Sequence, residues 1–286
     1  MSSKIVDYDR KALLGEGIAA QVFLGTFAGN QIAVKKIQKR MEQNQNKDVK
    51  SREDTSMKQF DHPNVLKLIE IQEDVDFKYL ILELCLGTLR DYIRERYTGT
   101  MPSELDGMIQ MASGLQYIHD QKFVHRDIKP ENVLISKSHV LKISDFGFCR
   151  PVTGSGSFSM SSGPKGTKIY NSPEYLRIEE KPEEERGQIR ANVSIDIFSL
   201  GCVFFSYITK GGHPFATGKN PVEFETVANI YKGEKFIRNV NSDLSKDYDY
   251  ALPMIDGMTE FSANNRWSLQ KVLEILKNQN LKSPEK

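Results

Sequence analysis

Two short polar runs, each flanked by apolar sequence, most restrict what this chain can be. The first is His125-Arg126-Asp127-Ile128-Lys129-Pro130-Glu131-Asn132, set between Phe123-Val124 and Val133-Leu134-Ile135. The second is Asp145-Phe146-Gly147, which follows His125 by twenty residues and closes the apolar run Val140 to Ser144. Polar functional groups at fixed spacing, flanked by apolar residues, make a poor surface loop. They suit a site that brings a hydroxyl, a phosphate and one or two magnesium ions together. Asp127 can accept or orient a hydroxyl proton, Lys129 can offset charge on a transferred phosphoryl group, and Asn132 and Asp145 can hold a metal. His125, alone among apolar neighbours, reads as a packed residue.

Upstream, Gly15-Glu16-Gly17-Ile18-Ala19-Ala20-Gln21-Val22 nearly matches the pattern G-x-G-x-x-G-x-V, with Ala20 at the third glycine. Glycines let a backbone approach phosphates that a Cβ would hold away. An ordinary hairpin fits the same residues, and a dinucleotide fold is disfavoured because a strand rather than a helix follows. In Ile32-Ala33-Val34-Lys35 a lysine stands on an otherwise apolar strand. It is either a snorkelling surface lysine or one that points into a cleft towards phosphates and a carboxylate. Glu53 is the expected carboxylate, with Asp54 its rival, and Lys36 faces the opposite side of the strand.

The rest of the chain reads as strands first and helices afterwards. Strands are expected over 12–25, bent as a hairpin, and over 31–37, 65–72 and 77–84, with a weakly patterned helix around 49–60 and a solvated loop over 39–50. Past Thr88, Pro102-Ser103-Glu104-Leu105-Asp106 resembles a helix start, with Ser103 and Asp106 spaced as a capping box. Leu105, Met108, Ile109, Ala112 and Leu115 recur on its buried face. Ile195 to Ile208 is the most apolar segment, too short for a membrane span and better suited to a buried helix. Leu269, Val272, Leu273 and Leu276 mark a last amphipathic helix. Thr153 to Gly166, rich in serine and glycine, should be mobile until something pins it, and Ile178 to Arg190 is a second polar insert. Asp196 and Arg266 read as buried anchors, with Glu174 and Arg266 a candidate ion pair. This distribution predicts an α+β protein of two lobes divided near Glu83 to Gly87.

Composition excludes little but removes some classes. A net charge of +1 gives no support to a polyanion-binding surface, so no nucleic acid is expected as partner. Cys85, Cys149 and Cys202 lack metal-type spacing and suit free thiols in a reducing compartment. No signal peptide or membrane segment is legible.

Together these motifs resemble the eukaryotic protein kinase family, whose signature set they nearly complete from about Val6 to about Leu281. Ser172-Pro173-Glu174 stands where that family has A-P-E. The resemblance implies a single kinase domain over 1–286, with a β-rich lobe to about 85 and a larger helical lobe from 86. It implies ATP and Mg2+ as cofactors and a protein as substrate. Lys129, two after Asp127, is similar to the serine/threonine branch. Gly15, Glu16, Gly17, Val22, Ala33 and Lys35 would then lie on the nucleotide. Leu82 would be the gatekeeper, and Glu83 and Cys85 the adenine-binding hinge. Asn132 and Asp145 would hold the metal, and Asp127, Lys129, Lys35 and Glu53 would form the catalytic set. Met57, Leu68, His125 and Phe146 would stack as the spine joining the lobes.

Glu83-Leu84-Cys85, Asp145 to Cys149, Ser157 to Gly163 and Asp196 to Phe204 are similar to the inositol-requiring kinase/endoribonuclease family. That likeness implies self-association as a dimer and trans-autophosphorylation on loop serines. Ser157, Ser159 and Ser162 are the candidates, Arg126 is a candidate receiver of the phosphate, and Thr167 is a further site or a substrate contact. Glu131 and the insert at 178–190 depart from that family. The five residues given after Leu281 are not expected to hold a ribonuclease domain, so ribonuclease activity is not carried over. A stand-alone relative and a fragment of a longer protein both remain open, cytosolic or facing the cytosol. A pseudokinase scaffold and a nucleotide-gated dimerising module are the alternatives in other functional classes.

Overall fold

The computed structural model describes residues 6–17, 20–39, 58, 60–159, 167–178, 180–237 and 248–282. The expected helix around 49–60, most of the loop over 39–50, Glu53, Met57 and Ser162 lie outside the described residues. Five antiparallel strands open the chain: β1 (Asp7–Glu16), β2 (Ala20–Phe27), β3 (Asn30–Gln38), β4 (Leu68–Glu73) and β5 (Phe77–Glu83), in the spatial order β1-β2-β3-β5-β4. β2 and β3 are joined by the two residues Ala28 and Gly29, at φ 48° and 79°. Positive φ at both matches the turn to the strands' twist; glycine adopts it freely, whereas Ala28 does so at a cost. Between β4 and β5, Asp74 caps the turn, its Oδ1 accepting from the backbone N–H of Asp76 and Phe77 at 2.8 and 2.6 Å.

Strand alternation gives this sheet two different faces. Ile32, Val34, Tyr79 and Ile81 pack with Val6 in a small core on one side. The pairing register places Val22 opposite Lys35, Lys35 opposite Leu80, and Ala33 opposite Leu82, so these residues share the other face. Lys36 does lie on the side opposite Lys35, its ammonium 3.8 Å from the Phe77 ring centre.

Past the sheet come β6 (Cys85–Thr88), α1 (Leu89–Ile93) and α2 (Glu104–Asp120). Ser103 caps α2 by accepting from the Asp106 N–H, but the Asp106 carboxylate takes the Ser103 hydroxyl rather than completing a box. The full capping box stands instead at Thr88 and Asp91, at the start of α1. Met108, Ala112 and Leu115 are buried as expected, joined by Met111 and Ile118, while Leu105 and Ile109 are half-buried. Gly114 has a packing reason: a Cβ there would sit 2.4 Å from the Asn64 carbonyl oxygen.

Next come β7 (Phe123–Val124), β8 (Val133–Ser136), β9 (Leu141–Ile143), β10 (Arg150–Pro151) and β11 (Ser157–Ser159). β6, β8 and β9 form one small sheet, and β7 pairs with β10. The helical part therefore carries strands that a strands-then-helices reading does not anticipate. α3 (Pro173–Leu176), α4 (Glu183–Arg186) and β12 (Arg190–Asn192) lead into α5 (Ser194–Ile208), every residue of which is buried. α6 (Glu223–Lys232), α7 (Ala251–Met258) and α8 (Leu269–Lys282) complete the described chain. Leu269, Val272 and Leu276 are buried, as their spacing requires. Among the described residues no helix is long and apolar enough to cross a membrane.

Candidate active site

The hairpin of β8 and β9 brings the two polar runs together. Val133 pairs with Ile143, so the residues just outside the hairpin, Asn132 and Ser144, become neighbours. Ser144 donates to the Asn132 carbonyl from its N–H at 2.8 Å and from its hydroxyl at 3.0 Å. Asp145 is thereby placed beside the loop that carries Asp127.

That loop is held from below by Asp196 in the first turn of α5. Its carboxylate accepts from the backbone N–H of His125 and of Arg126, each at 2.7 Å, and from His119 Nε2 at 2.9 Å. Arg126 adopts φ 70°, a left-handed conformation that costs free energy and persists only where neighbours impose it. Burial alone would raise the Asp196 pKa, but the hydrogen bond and charge of His119 outweigh it, and the carboxyl sits below its ordinary value. Asp196 is thus the buried anchor expected. His125 is fully buried; its Nε2 lies 2.9 Å from the Ser144 carbonyl and its ring meets Phe146 edge-on. Phe146 in turn meets Phe60 at 5.6 Å, and Leu68 belongs to the same core.

Above this floor the charged residues converge. Asn132 Nδ2 donates one hydrogen to the Asp127 backbone carbonyl and one to its carboxylate, both at 2.8 Å. With both amide hydrogens committed, its side-chain oxygen is the atom left to bind a cation. Lys129 Nζ lies 2.9 and 2.8 Å from the two carboxylate oxygens of Asp127. Burial pushes the Asp127 pKa up, and Lys129 opposes that shift only in part.

Lys35 reaches across from β3 to Asp145, Nζ to Oδ1 at 2.6 Å. Burial raises Asp145, the Lys35 ammonium pulls it down, and the net lies below the ordinary carboxylate value. Asp145 has φ 62° and precedes a short 3-10 turn over Phe146–Phe148. The register continues the line of Lys35 to Val22 and then to Gly15, so the glycine-bearing strand lies over the same face. Gly17 N–H donates to the Ala20 carbonyl at 2.8 Å, and Glu16 accepts from Gln21 at 2.9 Å, which closes the turn as a hairpin. Leu82 lies opposite Ala33 one pair further along. Glu83 at the end of β5 accepts from the Lys67 N–H at 2.7 Å and from Lys142 Nζ at 2.9 Å. The Cys85 thiol is pushed up to about 12, first by burial and then by the Glu83 carboxylate.

Asp145 and Asn132 present oxygens, the donor type a magnesium ion takes, and two protein oxygens suit an ion that completes its shell with waters and phosphates. Among the described residues no cluster of three His, Cys, Asp or Glu side chains competes as a metal site.

Several features lie outside this cluster. Ser157 and Ser159 sit on β11, paired with β12. Glu174 and Arg266 form the expected ion pair, two-pronged at 2.5 and 2.6 Å, with the guanidinium fully buried. Arg126 Nε donates to the Phe148 carbonyl at 2.6 Å, and its guanidinium lies 5.9 Å from the Phe158 ring centre. Sequence reasoning missed the Arg90 to Glu131 ion pair and the contact of Arg190 with Ser157. Neither carries a local signal, because each joins residues that only the fold brings together.

Comparison with known proteins agrees with this geometry. The protein kinase domain family matches residues 8–276. The chain is similar to the serine/threonine-protein kinase/endoribonuclease ire-1 of Caenorhabditis elegans, 34% identical over 96% of this chain and 27% of that protein. It is similar to the human serine/threonine-protein kinase/endoribonuclease IRE2, 32% identical over 73% of this chain and 22% of that protein. The Arabidopsis thaliana serine/threonine-protein kinase ATG1a is 32% identical over 78% of this chain and 34% of its own length. The chain spans about a quarter of the length of the first two of these relatives. The family match leaves only short ends outside it, and the chain belongs to the protein kinase domain family.

Proposed function

We propose that this chain is one kinase domain over residues 1–286, its two lobes meeting near Cys85, that moves the γ-phosphoryl group of ATP to a serine or threonine hydroxyl of a protein. Lys35 holds the α- and β-phosphates, with Glu53 as its second partner. Leu82, Glu83 and Cys85 bound the adenine. Gly15, Glu16, Gly17, Val22 and Ala33 cover the nucleotide. Asn132 and Asp145 bind Mg2+, which when present neutralises charge on the β- and γ-phosphates.

Asp127 orients the acceptor hydroxyl and takes its proton as the oxygen–phosphorus bond forms and the bond to ADP breaks. Its raised pKa makes it a better proton acceptor than an ordinary carboxylate. Lys129, on both oxygens of Asp127, sits where it can also steady the transferred group. Little else is asked of the protein, since such catalysis is chiefly positioning and charge stabilisation.

The observation that carries this reading is the ion pair of Lys35 with Asp145, 110 residues apart in sequence, beside the Asn132–Asp127 hydrogen bond on the neighbouring loop. Transfer of radiolabel from [γ-32P]ATP to a generic protein acceptor tests it. Wild type should label the acceptor, and Asp145→Asn should label it at least 100-fold more slowly. Equal rates would remove the assignment.

The serine-rich segment over 153–166 supports a finer reading. Two copies associate, and each phosphorylates Ser157, Ser159 or Ser162 of the other, with the domain facing the cytosol. After incubation with ATP, mass spectrometry should find phosphate within residues 153–167, and its absence would sink the finer reading alone.

A further inference from the structure

The segment after β10 is held by the second polar insert. β11 pairs with β12 in the register Ser157 to Asn192, Phe158 to Ala191 and Ser159 to Arg190. Phe158 points inward and is buried with Val124, Tyr175, Ile178 and Ile195, a small core separate from the main one. Because successive side chains on a strand face opposite ways, Ser157 and Ser159 point outward when Phe158 points in. Arg126 lies on the inner side, over the Phe158 ring, and its Nε is spent on the Phe148 carbonyl. Phosphate on either serine therefore faces away from Arg126.

On the outer side Ser157 already has a basic partner. Arg190 aims two N–H groups at the Ser157 hydroxyl oxygen, Nε at 3.3 Å and Nη2 at 3.0 Å. Thr153 and Ser155 add hydroxyls 2.9 and 3.3 Å from the same oxygen. Thr153 and Ser157 are also tied through the backbone, the Thr153 N–H donating to the Ser157 carbonyl at 2.8 Å. The nearby Ser159 differs: its hydroxyl donates to the Gly187 carbonyl at 2.7 Å, so a phosphate there would set its oxygens against a carbonyl.

We propose that Ser157 is a phosphorylation site whose phosphate is received by Arg190, with Thr153 and Ser155 as further donors, so that the insert over 178–190 acts as a clamp on the activation segment. This rests on the reading that the segment is phosphorylated; the donor is ATP, whose γ-phosphoryl passes to Ser157 Oγ, releasing ADP and the hydroxyl proton. A guanidinium presenting two parallel donors matches a phosphate better than the single neutral hydroxyl it now meets. Phosphate on Ser157 would thus tighten the pairing of β11 with β12 and keep Phe158 seated.

The test installs phosphoserine at position 157 genetically, so it does not depend on the chain's own activity, and failure here leaves the kinase reading untouched. The probes are 31P NMR titration of the phosphate and hydrogen exchange of residues 157–159. The full chain should show a phosphate pKa about 0.5 unit or more below the usual value of about 6, and exchange slowed at least threefold relative to unphosphorylated protein. Arg190→Ala should erase both effects, and Arg190→Lys should keep part of the pKa shift without the full protection. Should Arg190→Ala disturb the β11–β12 pairing by itself, the Arg190→Lys protein still reports the contact through its reduced shift. A shift that survives Arg190→Ala, or one abolished by Arg126→Ala instead, overturns the proposal.

Discussion

Lys35 and Asp145 stand 110 residues apart in the chain and 2.6 Å apart in space. One comes from the middle of a sheet, the other from the exit of a hairpin in the helical part, and the ion pair ties the two parts together. Replacing Lys35 by Ala should lower kcat/KM for ATP by about 100-fold or more, roughly 3 kcal/mol of transition-state stabilisation. Melting temperature should change little, because the Asp145 side chain of the pair keeps 35% of its surface exposed. Steady-state kinetics with thermal unfolding on the same protein checks this, and unchanged kcat/KM would contradict it.

Asp127 must be ionised to take a proton, and burial raises its pKa while Lys129 restrains the rise. The acid limb of the kcat/KM profile should therefore fall at a pH above the ordinary carboxylate value of about 3.9. Lys129→Met removes the restraint and should shift that limb to still higher pH. A limb that stays in place in the variant would separate Lys129 from Asp127.

Asp196 accepts the backbone N–H of both His125 and Arg126. Asp196→Ala should cost on the order of 3 kcal/mol, the loss of two buried hydrogen bonds to a charge, and should release Arg126 from its left-handed backbone. Its folded pKa lies below the unfolded one, so its contribution is complete above about pH 3.9 and fades as pH falls through the lower folded value. Asp196→Asn should melt lower than wild type at neutral pH, with the gap closing on acidification. A gap that is constant with pH would show that the charge of Asp196 does not contribute.

Arg266 is fully buried and bound in two-pronged fashion to Glu174, with Nε on the Glu260 carbonyl at 2.8 Å. Arg266→Met leaves the Glu174 carboxylate without its partner and should cost about 3 kcal/mol in urea unfolding. The double variant Glu174→Gln with Arg266→Met should recover part of that loss. Equal stability of wild type and the single variant would contradict a structural role for the pair.

Much of this site is legible in the amino-acid sequence. Asp127, Lys129, Asn132 and Asp145 sit in two runs whose spacing equals a hairpin, so sequence and space nearly coincide there. Lys35 was legible only as an ambiguity, since a lysine on an otherwise apolar strand fits both a surface and a cleft until the register sets it beside Val22 and Leu80. Strands β6, β7 and β10 to β12 were missed because two- to four-residue strands carry no period. The pinning of Ser157 to Ser159 by Arg190 to Asn192 could not be read at all: it depends on how α3 and α5 set two loops side by side, and the polar insert has no pattern of its own. The misplaced capping box at Ser103 shows the same limit, a spacing that two motifs share.

The most direct measurement of the central claim, that these side chains meet around one triphosphate, is ATP affinity with and without Mg2+ by calorimetry. Wild type should bind ATP more tightly with Mg2+ than in EDTA, and Asp145→Asn should lose most of that difference while remaining folded. A magnesium effect of the same size in Asp145→Asn would contradict the account.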